Sequence, residues 1–283
     1  MDIKGPNLVK GIHLEGLRVL GKPEDFARYY YAAGADELIY IDVVASLYNR
    51  NSLHDIIFRV AKEVFIPMTV GGGLRTIDDI KQVLRAGADK VALNTAAIKN
   101  PKIISEAALK FGSSTIVASI EAIKQQNGEY LAYVDNGREY TGIEVFEWAK
   151  RVEKLGAGEI LLTSVDREGT GSGYDLELIK NISECISIPV IASGGAGKVE
   201  DIADAILLGK ADAVAIASIL HYEAIKKLDF SKYTFDKEGN LEYLENKRAY
   251  SRLKPSNLKE IKSYLSNQGI NVRCIPGLEL TNV

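Results

Sequence analysis

Two cysteines, three histidines and one tryptophan in 283 residues leave little material for several kinds of chemistry. Cys185 and Cys274 stand far apart without a CxxC partner, so no disulfide framework or thiolate metal site is expected and both read as neutral thiols. His13, His54 and His221 are scattered, with no HExxH or similar ligand spacing, and neither a metal nor another cofactor is expected. No apolar run approaches the roughly 18 residues needed to cross a bilayer. Nor does a charged segment leading into an apolar one open the chain, so a soluble, cytoplasmic protein without a membrane partner is expected. A basic excess is missing too. The net charge of −3 argues against nucleic acid, whose binding surfaces are basic.

What the chain does have is hydrophobic residue, at 46%, arranged in short runs. ELIYID at 37–42, IPMTV at 66–70, KVALN at 90–94, TIVASIE at 115–121, EILLTS at 159–164, IPVIAS at 188–193 and AVAIAS at 213–218 are too apolar to have a wet face. Strands covered on both sides belong to a parallel sheet, and the helix-length segments between them supply its crossovers. An eighth strand has to come from Met1, Asp2 and Ile3, ahead of the Gly5-Pro6 turn signal, so strand 1 reads as truncated.

The sequence also repeats. GADELIYID from Gly34 matches GAGEILLTS from Gly156, and FIPMTVGGGLRTIDDI from Phe65 matches SIPVIASGGAGKVEDI from Ser187, both 122 residues apart. The match runs on from GADKVALNTAAI to KADAVAIASIL with a one-residue slip. Two half-barrels of four strands satisfy this symmetry, so the expectation is a single (β/α)₈ barrel domain over 1–283; an open doubly wound sheet does not predict the repeat. Two departures stand out. Asn-Gly occurs twice in KQQNGEYLAYVDNGRE, which predicts a β-hairpin inserted near 124–138 ahead of a helix at 142–155. Between the last strand and a final helix lies a long segment, near 226–254, that reads as an irregular insertion.

Three groups of residues carry candidate chemistry. Gly71-Gly72-Gly73 and Ser193-Gly194-Gly195 each join a strand to a helix, where glycine lets backbone N–H groups approach an anion. One such turn alone reads more readily as a tight connection. Two, each followed one strand later by small residues (Asn94 and Thr95; Ala217 and Ser218), suggest two phosphate cradles facing one mouth and a ligand phosphorylated at both ends. Acidic residues at strand ends form the second group: Asp2, Asp42, Glu121, Asp166 and Glu168. Carboxylates at that end of a barrel are placed for proton exchange, although Asp166 and Glu168 fit helix-capping or loop-ordering roles equally well and Asp42 also fits a structural strand-end role. Glu37, Lys90 and Glu159 open three strands at the opposite end, where an ion-pair layer is the bland account and a gate for a small molecule the functional one.

DIKGPNLVKG, DELIYIDVVAS, FIPMTVGGGLRT, GADKVALNTAAI, GAGEILLTSVDREGT, YDLEL and IPVIASGGAG together resemble the cyclase subunit of imidazole glycerol phosphate synthase, to about Tyr222 and again in the last helix. The resemblance implies a barrel that takes ammonia from a glutaminase subunit, in a heterodimer. It would convert a bisphosphorylated ribulosyl aminoimidazole carboxamide into imidazole glycerol phosphate and the carboxamide ribonucleotide. It also implies catalytic roles for Asp2 and Glu121, and substrate or phosphate binding by Lys10, Asp42, Gly72, Gly73, Asn94, Thr95, Glu168, Gly169, Gly194, Gly195 and Ser218. Glu37, Lys90 and Glu159 match three of four charged residues ringing an ammonia entrance, with Asp89 adjacent. Glutamate replaces aspartate at 121 and at 168. The fourth gate residue, an arginine of strand 1, has no counterpart: either the start stands downstream of the true one, the reading favoured because an incomplete barrel would expose two sheet edges, or this variant has lost most of a strand. A paralogous ammonia-conduit subunit serving a glutaminase and a sugar amidotransferase is the alternative that the two glutamates and the insertion favour. A sugar isomerase with the same half-barrel repeat fits less well, because of the bottom ring and the DREGT loop.

Overall fold

The computed structural model describes residues 1–45, 53–229 and 252–273. Its strands are β1 (Asp2–Lys4), β2 (Asn7–Ile12), β3 (Glu15–Gly21), β4 (Leu38–Asp42), β5 (Met68–Gly71), β6 (Lys90–Leu93), β7 (Ile116–Lys124), β8 (Tyr130–Val134), β9 (Glu139–Glu144), β10 (Glu159–Ser164), β11 (Val190–Ser193) and β12 (Ala213–Ala215). The helices are α1 (Pro23–Ala32), α2 (His54–Val60), α3 (Ile77–Ala86), α4 (Thr95–Lys99), α5 (Lys102–Phe111), α6 (Val145–Lys154), α7 (Leu176–Cys185), α8 (Val199–Leu207), α9 (Ser218–Lys227) and α10 (Leu258–Asn267).

Eight strands run parallel in the order β12-β11-β10-β7-β6-β5-β4-β1, each separated from the next by helix, as a (β/α)₈ barrel requires. Their apolar runs are explained by two separate cores. Inward side chains, Ala92, Val117, Leu161 and Ile191 among them, fill the barrel; outward ones join the helix stripes of Phe26, Ile80, Val83, Trp148 and Val152. The half-repeat persists in the capping geometry. Asp79 accepts from the N–H groups of Arg75 and Thr76, and Asp201 from those of Gly197 and Lys198, so each glycine turn leads into a helix start tied by the same carboxylate.

Two antiparallel elements project above the strand ends. β2 and β3 form a hairpin that the pattern reading misses, because its turn uses His13 and Leu14 at φ 52° and 62° in place of the usual glycine pair. β7 runs on past the barrel to pair with β8, which pairs in turn with β9. β9 takes residues 142–144 from the start of the expected 142–155 helix. Gly142 at φ 74° and Glu144, whose carboxylate accepts from the N–H groups of Phe146 and Glu147, set the helix start at Val145. The last strand is also shorter than the apolar run suggests, since Ser218 is already the first residue of α9. Most of the segment expected as an irregular insertion, 230–251, lies outside the described residues, as does Cys274. Among the described residues no helix is long and apolar enough to cross a membrane.

Candidate functional site

The C-terminal ends of the strands enclose two connected cavities. The larger, about 610 Å³, has Asp2, Glu121, Gly169, Gly194, Gly195 and Ser218 on its walls. The smaller, about 260 Å³, is walled by Asp42, Gly72, Gly73, Asn94, Thr95 and Glu121. Glu121 borders both, so the two glycine turns lie to either side of one carboxylate. Both turns are built for close approach. A Cβ on Gly72 would lie 2.4 Å from the Asp42 carbonyl oxygen, and one on Gly195 would lie 2.2 Å from that of Gly173.

Glu121 stands under the β8–β9 turn. Gly137 N–H donates to its Oε2 at 2.7 Å, and Asn94, which also donates to Tyr133 O at 3.2 Å, helps to hold it. Desolvation beneath that turn pushes the Glu121 carboxyl up to about 7. The bonds from Gly137 and Asn94 oppose the rise, and the charges of Asp135 and Asp2 add to it. The extra methylene of glutamate reaches the turn, where a shorter side chain would need a different partner.

Asp2, on β1, faces the large cavity and lies 3.6 Å from the ammonium of Lys10, which is 2% exposed. Lys10 also pairs with Glu168. Burial alone lowers the Lys10 pKa, but the charges of Glu168 and Asp2 and their hydrogen bonds outweigh it and the net change is upward. Glu168 in turn ties down the β2–β3 hairpin, accepting from Leu14 N–H at its carboxylate and from His13 N–H at its carbonyl. Asn136 of the β8–β9 turn donates to Leu14 O at 2.8 Å, so both projecting elements meet over the mouth.

The remaining strand-end acids are spent on the backbone. Asp42 accepts from Val44 N–H while bordering the smaller cavity, and Asp166 accepts from Lys124 N–H at 2.8 Å, which is loop ordering. At the opposite end Lys90 donates to Glu37 at 3.1 Å and to Glu159 at 2.7 Å. Asp89 accepts from Met68 N–H, as its repeat-mate Asp212 does from Val190 N–H, a structural role in both halves. Sequence reasoning missed Ser119, Arg75, Lys99 and Asn136, all on the smaller cavity's wall. Ser119 was within reach, since it lies two residues before Glu121 on one strand and shares its face. Asn136 and Gly137 were not, because only the folded hairpin brings them to the mouth.

The sequence model of the family described as "Histidine biosynthesis protein" matches residues 1–226. An imidazole glycerol phosphate synthase subunit HisF from Legionella pneumophila is 62% identical over 201 residues, covering 71% of this chain and 95% of that protein. Its counterpart in Alkaliphilus metalliredigens is 48% identical over 225 residues (80% and 89% covered). The one in Methanocaldococcus jannaschii is 46% identical over 256 residues (84% and 94%).

Proposed function

The chain belongs to the histidine biosynthesis protein family, and from that premise we propose that it is the cyclase subunit of imidazole glycerol phosphate synthase, a lyase that builds imidazole glycerol phosphate with ammonia from a glutaminase partner. One observation carries the assignment of roles: Asp2 and Glu121 border a single mouth, with a glycine turn on each side. Backbone N–H groups at Gly72 and Gly73, with Asn94 and Thr95, take one phosphate; Gly169, Gly194, Gly195 and Ser218 take the other. Fixing both ends of the substrate holds its middle against the two acids, which lowers the entropic part of the barrier.

Asp2, beside the buried Lys10, serves as acid toward the sugar carbonyl region. Glu121, with a pKa near neutrality, exchanges a proton during ring closure, because a group poised at the working pH both gives and takes one readily. Ammonia enters from the far end past Glu37, Lys90 and Glu159, the face on which the glutaminase docks, and the site of action is the cytoplasm. No step requires a cofactor. The conduit alternative is not favoured, since the relatives that cover almost their whole length here carry the synthase name.

Purified protein supplied with an ammonium salt and the bisphosphate substrate is expected to consume it, followed by loss of absorbance. Glu121→Ala is expected to lower turnover by about 10²- to 10⁴-fold. Tight substrate binding by the unsubstituted chain, with no turnover, would defeat the assignment.

A further inference from the structure

The β8–β9 turn does more than cover Glu121. Asp135 and Asn136 hold φ of 52° and 63° there, and the Asp135 side chain, 17% exposed, turns toward the start of α4. Thr95 Oγ1 donates to its Oδ1 at 3.4 Å and accepts its backbone N–H at 3.2 Å, while the Lys99 ammonium lies 4.0 Å from its Oδ2. Thr95 and Lys99 both line the smaller cavity. A carboxylate therefore already engages two groups that an anion in that cavity would use. A threonine hydroxyl has a single proton to give, so Thr95 donates either to Asp135 or to a phosphate, and not to both.

The other half has no such occupant. The turn between β2 and β3 has the same backbone, φ 52° and 62°, but His13 and Leu14 stand there. Ser218, which the repeat pairs with Thr95, makes no hydrogen bond to a carboxylate among the described residues. The two cradles thus differ in what a phosphate has to displace.

We propose that Asp135 is an intramolecular competitor at the first glycine cradle, and that a phosphate entering the smaller cavity displaces its carboxylate from Thr95 and Lys99. This rests on the reading of Gly72 and Gly73 as a phosphate cradle. The hold to be broken is weak, since 3.4 Å is long for an O–H···O bond and 4.0 Å is the outer limit of an ion pair. A phosphate brings about two charges and three acceptor oxygens against one charge and two oxygens, and it also meets the N–H groups of the turn, so it wins the exchange. A singly charged ligand has no such margin. The displaced carboxylate keeps a partner, because Glu139 at the start of β9 shares a hydrogen bond with it, which raises the Glu139 pKa. Asp135 is in this way a specificity-determining residue: it makes occupancy of this cradle depend on the charge of the incoming group.

Titration of inorganic phosphate at constant ionic strength, followed at the backbone amide resonances of Gly73 and Gly195, tests this on the full chain and on Asp135→Asn. Asparagine tolerates the positive φ and keeps the N–H that Thr95 accepts, so the turn is retained. The expected result is half-saturation at Gly73 at an about three- to tenfold lower phosphate concentration in the variant, with Gly195 unchanged. If Asp135→Asn does not fold, Asp135→Gly, which takes the same φ without strain, gives the same reading. Unchanged or weaker binding at Gly73 would make Asp135 a structural residue of the turn and overturn the proposal. An equal gain at both glycines would do so too, by tracing the effect to net charge. A response at neither glycine in any of the proteins would overturn the cradle reading itself, and the proposal with it.

Discussion

Glu121 sits where a hairpin turn takes water from its carboxyl and returns one backbone N–H, from Gly137 at 2.7 Å. With its pKa raised from 4.5 to about 7, the folded chain binds this proton more tightly than the unfolded chain does. The stability linked to it is therefore complete below about pH 4.5 and is lost as the pH rises through about 7. Glu121→Gln cannot ionise. Its stability relative to the parent is expected to climb between pH 4.5 and 7, by on the order of 1–3 kcal/mol, and to level off above that range. Urea unfolding at a series of pH values measures the difference, and a flat line would show that folding does not raise the pKa of this carboxyl.

At the scale of elements, the two glycine turns do the same task in each half. Gly72 at φ 94° and Gly195 at φ 118° hold backbone conformations that side chains resist, and each packs against a carbonyl oxygen that belongs to the main chain and cannot swing aside. Gly72→Ala and Gly195→Ala are each expected to cost about 1–3 kcal/mol in thermal or chemical unfolding. Where the protein stays folded, the proposed phosphate role expects KM for the bisphosphate to rise more than kcat falls. An alanine tolerated at both positions with unchanged KM would remove the phosphate role from these turns. The capping carboxylates Asp79 and Asp201 explain why the pattern recurs: each orients the helix start that follows its turn.

For the molecule as a whole, the proposed chemistry and the proposed ammonia entrance lie at opposite ends of the barrel. Lys90 at the far end bridges Glu37 and Glu159 and is 17% exposed, so its removal leaves two carboxylates facing each other with little water between them and is expected to cost about 1–3 kcal/mol. Lys90→Met is expected to leave turnover driven by added ammonium within about twofold of the parent while lowering turnover driven by glutamine with the partner present. An equal fall in both would place Lys90 in general folding rather than in passage.

The residues alone determined which segments form the barrel strands and the symmetry between the two halves. EILLTS at 159–164 is β10 residue for residue, and the paired glycine turns stand where the repeat puts them, because a strand buried on both faces must be continuously apolar and a close backbone approach must be glycine. They also placed Asp2 and Glu121 at strand ends. Only the tertiary structure decided what those acids meet. The Lys10–Glu168 pair joins residues 158 apart, the hairpin of β2 and β3 turns on two residues with no turn signature, and Gly137 reaches Glu121 from a loop that folds back over the mouth. Local pattern records which faces a segment must bury; which loops meet above a barrel depends on how the barrel closes, and that is set by all its strands together.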